Sequence, residues 1–144
     1  RAQADLINYK KRVEQDREEQ SKYAASSLIT NLLQILDDFD RAIRSMPPNL
    51  MGLTWVEGIF LTEKRLVKIL ETYHLSEINA VGEDFDPSLH EAVMYGAGEE
   101  GKVVQEIQKG YKLHDRVIRH SMVQVGQGEN KIEEKPLKDS ESAD

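Results

Sequence analysis

The stretch GYKLHDRVIRHSMVQVG, Gly110 to Gly126, together with FDPSLHEAV, Phe85 to Val93, decides how this chain is read. Both are short apolar runs broken by Gly, Asp, Pro and His, the punctuation of small strands and tight turns. Working back from Gly110, the runs GKVVQEIQKG, HEAVMYG and LSEINAV carry the same pattern to about Leu75. Residues 75–126 therefore read as a small all-β domain with turns at Gly101, Gly110 and His114–Asp115. A module of about 50 residues buries little surface by itself, so it is expected to dock on, or be closely tethered to, what precedes it. Its last run does not alternate: Val117, Val123 and Val125 share one parity, Ile118 and Met122 the other. That predicts a bulge or two partly buried faces.

The first part of the chain has a different period. Residues 1–46 contain neither Gly nor Pro and are rich in helix formers, until Pro47-Pro48 removes the backbone donor a helix needs. A continuous helix of that length spans about 70 Å and cannot fold back on itself. From residue 28 it carries a wide apolar stripe: Leu28, Ile29, Leu32, Leu33, Ile35, Leu36, Phe39, Ile43 and Met46. Up to residue 27 the seam is thin. A heptad frame through Leu6 and Val13 meets Gln20 and Ser27, so this part pairs only weakly as a coiled coil. Charges of alternating sign around it read as a solvated face. Residues 50–74 hold a second helix, with Val56, Ile59, Phe60, Leu66, Val67, Leu70 and Tyr73 on its buried side. Gly58 inside that helix points to close packing or a close approach.

Two helices cannot close a core around so wide a stripe, but two copies can. The expected architecture is α+β: long N-terminal helices side by side in a parallel homodimer, a four-helix bundle from two protomers, and one small C-terminal β-domain each. The expected dimer interface includes Leu28, Leu32, Ile35, Phe39, Ile59 and Leu66. Residues 127–144 are charged and read as a disordered tail.

Composition narrows function. The net charge is −7, against the basic surplus usual for nucleic-acid or membrane binders, and no apolar run approaches the length of a membrane span. There is no cysteine, which fits a reducing compartment; a cytoplasmic location is expected. The chain opens at Arg1 inside a helical pattern and is read as a fragment, so a leader ahead of it lies out of view. No catalytic constellation is found. The four histidines lie in different segments without metal-ligand spacing, and His90 reads as a structural hydrogen-bonding residue. There is no phosphate-cradling GxxxxGK[ST] loop and no GxSxG elbow. Asp37 and Asp38 point about 100° apart on a helix and make a poor acid–base pair. Lys109, Lys112, Arg116 and Arg119 concentrate positive charge in the β-module; this is either ordinary surface or a docking face for an acidic partner.

Four ordered segments carry a family resemblance. GYKLHDRVIRHSMVQVG is similar to the C-terminal signature of the GrpE family, the nucleotide exchange factors of bacterial-type Hsp70 (DnaK) chaperones. FDPSLHEAV resembles that family's FDP-x-x-H-x-A segment, NLLQILDDFDRAI its D-x-x-DRA helix, and WVEGIFLT its V-E-G-I helix start. The resemblance runs from about Lys10 to Gly126. It implies a homodimer that grips the nucleotide-binding domain of one Hsp70 molecule, holds its cleft open with a β-domain and lets ADP leave. It implies no enzyme activity, no cofactor and no direct nucleotide binding. The partner contacts it implies are Arg116, Val125 and Ile107 in the β-domain, Lys10 on the long helix, Gly58 and Arg41 in the bundle. Glu19 stands where some relatives carry lysine, so no helix salt bridge is carried over there. The thin seam before residue 28 fits a thermosensor role. The competing reading is a dimeric coiled-coil adaptor whose β-domain docks another protein.

Overall fold

The computed structural model describes residues 1–128 and has an α+β fold, a long N-terminal helical arm followed by a β-domain. The stretch read as one helix is two in direct succession, α1 (Ala2–Tyr23) and α2 (Ser26–Arg44). Ala24 and Ala25 between them keep right-handed helical dihedrals, so the lapse is local. It falls where the arm first meets the core: Tyr23 and Ala25 pack on it, whereas α1 buries no residue. The helix ends at Arg44, ahead of the prolines, because the residue before a proline is pushed out of the helical region. A single 3₁₀ turn at Pro48–Leu50 leads to α3 (Thr54–Thr72). His74, with φ 68°, reverses the chain after α3 in the left-handed region.

The β-domain is two three-stranded sheets. β1 (Leu75–Glu77), β4 (Tyr111–Leu113) and β5 (Arg116–Arg119) form one, antiparallel throughout in the order β1-β4-β5. β2 (His90–Glu100), β6 (Ser121–Gly126) and β3 (Val103–Gln108) form the other, in the order β2-β6-β3. There β6 runs parallel to β2 and antiparallel to β3. The run RVIRHSMVQV is thus two strands, parted at His120 and assigned to different sheets, which is why no single alternation describes it. The run itself carries a bulge at Ile118 of β5, since Tyr111 pairs with Arg119 and Lys112 with Val117; further register shifts lie in the strands that flank β6, between Ala92 and Met94 and between Val103 and Gln105.

Each sheet has its own core. Ile29, Leu33 and Leu36 of α2 and Leu70 of α3 are buried with Leu75, Tyr111 and Leu113 of the first sheet. The helices and the β-domain therefore share one hydrophobic core across residue 75, which gives the small first sheet the buried surface it lacks alone. Ala80, Val103, Val123 and Val125 make the second core.

The glycines that frame the 110–126 stretch are demanded by close approach. A Cβ on Gly110 meets the backbone nitrogen of Ser121, and one on Gly126 meets the carbonyl oxygen of Glu99. Gly126 sits where the end of β6 slides beneath the β2–β3 turn. Its N–H donates to Lys102 O at 2.8 Å and its carbonyl accepts from Gly101 N at 3.0 Å. Backbone pairing continues past the expected end of the module, since Gln127 N donates to Gly96 O and Gly128 N to Gly98 O. The rest of the expected tail lies outside the described residues.

Candidate partner-binding surface

The FDPSLHEAV segment is a self-tied loop leading into β2. The Asp86 carboxylate accepts from Ser88 N at 2.9 Å and from Ser88 Oγ at 2.7 Å, and these bonds hold it below the usual carboxylate range. His90 is 3% exposed, and its Nδ1 accepts from Asp86 N at 3.0 Å. That places the ring proton on Nε2, which is buried without a protein partner. Burial pushes the His90 pKa down, against the opposing pull of Asp86 and Glu83. The sign follows. Below its ordinary value of 6.5 the unfolded chain takes up this proton before the folded one, so the contribution of His90 is complete above that pH and lost as pH falls through it. Each pH unit between the two values costs up to about 1.4 kcal/mol. Urea titrations between pH 7 and 5 are expected to show a shallower loss of stability for His90→Gln than for the parent. Parallel slopes exclude His90 as a source of acid sensitivity.

The positive residues of the β-domain do not form one open face. Arg119 is held inward: its guanidinium grips Asp37 of α2 with two bonds of 2.6 and 2.7 Å, and its Nε donates to Lys109 O at 2.9 Å. Gln108 Nε2 also donates to Asp37, at 2.9 Å. The two charged side chains are 17% and 19% exposed, so this is a largely buried clamp where α2 meets both sheets. Lys109 Nζ lies 3.8 Å from Glu77. From the sequence, Asp37 stands out only as the neighbour of Asp38. The signal that marks it is its place four residues after Leu33, on the inward stripe of α2, where a carboxylate needs a partner.

Arg116, the first residue of β5, is exposed, and its guanidinium lies over the Tyr23 ring, 3.9 Å from the centroid. Together with Asp16, Glu19, Gln20 and Tyr23 it lines a groove along α1. Ile107 on β3, 37% exposed, and Arg41 on α2 share a second groove of about 450 Å³ between helix and sheet. Arg41 also pairs with Asp38 at 3.3 Å on open surface, a contact of small energetic weight. Lys10 lies in a third groove, on α1 beside Tyr9 and Glu14. Gly58 is exposed on α3, and a Cβ there meets nothing within 4 Å, so packing inside one chain does not require the glycine. Val125 differs from the others. It is 6% exposed and faces the second core between Val103 and Val123, so its side chain supports the surface from beneath instead of forming it.

Of the expected dimer residues, Leu28, Ile35 and Ile59 are exposed in the single chain. Leu32, Phe39 and Leu66 are half-buried. No helix of the described residues is long and apolar enough to cross a membrane, and no group of metal-ligating side chains is found among them.

A profile of the GrpE family matches residues 1–127. The chain is similar to a curated protein of Bacillus licheniformis named Protein GrpE, 43% identical over 130 residues, covering 88% of this chain and 67% of the relative. A Protein GrpE of Treponema denticola is 43% identical over 151 residues, covering 100% of this chain and 61% of the relative. One of Bacillus pumilus is 44% identical over 130 residues, covering 88% and 70%. The chain thus spans roughly two thirds of the length of these relatives. With a family profile over nearly all the described residues, and with the arm and β-domain in place, the chain belongs to the GrpE family.

Proposed function

We propose that this chain is a co-chaperone that binds the nucleotide-binding domain of an Hsp70 (DnaK) partner as a homodimer, opens its cleft and accelerates ADP release. The family match across arm, helices and β-domain is the observation that carries the reading. The geometry supports it in two ways. Arg116 is presented at the surface beside the arm, and Ile107 and Arg41 flank a shared groove. On α2, Leu28, Leu32, Ile35 and Phe39 recur at spacings of four and three beside the buried Ile29, Leu33 and Leu36; Leu28 and Ile35 are exposed, Phe39 is half-buried, and the half-buried Leu32 also packs on the first core. On α3, Trp55, Ile59 and Tyr73 stand exposed on one stripe, which also includes Leu66, half-buried against the first core. Such stripes fit a four-helix bundle completed by a second copy. The direct test is release of a fluorescent ADP analogue from the partner domain, against excess ATP, with and without the chain. Unchanged release by a folded dimer leaves an adaptor function.

The arm is proposed to act as a thermosensor as well. Because α1 touches a core only at its last residue, Tyr23, the order of the rest of it depends on the second copy and on its own propensity. Calorimetry and circular dichroism are expected to show helix loss in a reversible step below the main transition. A single coincident transition removes the thermosensor reading.

A further inference from the structure

We infer that Tyr23 is the positioning residue for Arg116, so that the order of the arm controls how the β-domain meets its partner; this rests on the function proposed above. Tyr23 is the last residue of α1 and the point where the arm joins the core. The flat guanidinium of Arg116 lies over one face of its ring. The ring meets His114 edge-on, with centroids 5.8 Å apart, and His114 stacks on His74 at 4.4 Å. This column is fixed at its far end. His114 N donates to His74 O at 2.9 Å, and both histidines occupy the left-handed region, with φ of 53° and 68°. It therefore ties together the end of α1, the end of α3 and the β4–β5 turn that carries Arg116.

Among the described residues Arg116 makes no ion pair, although Asp16 and Glu19 line the same groove. The aromatic face is what orders it. Arginine stacks flat on such a face, where lysine does not. An exposed arginine otherwise has many rotamers to lose on binding. Immobilising one such side chain in advance is worth about threefold to tenfold in affinity. Arg116 has the ring only while the last turn of α1 is in place. Loss of helix in the arm thus reaches a contact on the β-domain without any change in the β-domain itself.

The experiment is a double-mutant cycle in the full chain, binding the Hsp70 nucleotide-binding domain by calorimetry. Tyr23→Leu is expected to weaken binding about threefold to tenfold. It is expected to add nothing in an Arg116→Ala background, and Tyr23→Phe, which keeps the ring, to bind like the parent. Arg116→Lys, which keeps the charge without the plane, is expected to lose about as much as Tyr23→Leu. Equal losses from Tyr23→Leu in both backgrounds overturn the inference. A second readout needs no partner: the Arg116 Nε–H resonance of the free chain is expected to be shifted by the ring current in the parent and in Tyr23→Phe, and to return toward an unstacked position in Tyr23→Leu. An unstacked position in the parent overturns the inference even if Tyr23→Leu fails to fold. If the parent chain does not bind the domain at all, the proposed function falls, and the resonance alone still decides whether Tyr23 holds Arg116.

Discussion

Arg119→Ala is expected to lower the stability of the fold by about 3 kcal/mol, or roughly 10 °C in Tm for a domain of this size. The size follows from what is left behind. Asp37 keeps a single bond from Gln108 Nε2 and loses two from the guanidinium, so a largely buried carboxylate is stranded without its counter-charge. The Lys109 carbonyl loses its donors at the same time. Asp37→Ala is expected to cost a similar amount, because it strands the arginine instead. Asp37→Leu combined with Arg119→Met, which removes both charges, should recover much of the loss, since a buried pair is often replaced by apolar residues at little cost. Thermal melts of the four proteins decide it. Single variants within about 1 kcal/mol of the parent would mean that the pair behaves as a surface ion pair and does not tie the helices to the sheets.

The clamp also marks where reading the sequence stops. The β-punctuation after Leu75 was legible because turns are local. His114–Asp115 does join β4 to β5, and Gly101, with φ 75°, does turn β2 toward β3. The change from a thin seam to a broad stripe at residue 28 was legible from spacing alone, and Ile29, Leu33 and Leu36 are the buried set on α2. What spacing cannot state is which strand lies beside which. β2 and β3 are joined by a tight turn yet do not pair, because β6 inserts between them. That insertion turns Val125 inward and splits RVIRHSMVQV between two sheets, while β5, packed against α2, brings Arg119 to Asp37, 82 residues apart in the chain. A charge cluster seen in sequence therefore separates in space into an inward arginine and an exposed one. Only Arg116 remains as the surface arginine of the β-domain's 110–126 stretch.

The largest functional effect is expected at the partner. If the chain binds the open, nucleotide-free Hsp70 domain a thousandfold more tightly than the ADP-bound one, it must weaken ADP by the same thousandfold, about 4 kcal/mol of differential binding. No covalent step is needed; contacts made only to the open cleft suffice. Because affinity differences within one complex are expressed mostly in dissociation, most of that factor should appear as faster ADP release. Arg116→Ala removes a charged donor from the proposed contact and is expected to reduce the acceleration about tenfold or more while leaving the proposed dimer intact. Val125→Asp is a poorer probe, since it buries a charge in the second core and disturbs folding before it tests any contact. The thermodynamic square closes the argument. ADP affinity measured with and without the chain, and chain affinity measured with and without ADP, must change by one common factor. A large kinetic acceleration without that reciprocal change would mean that the chain lowers the barrier to ADP release without preferring the open state, and the cleft-opening mechanism would have to be abandoned.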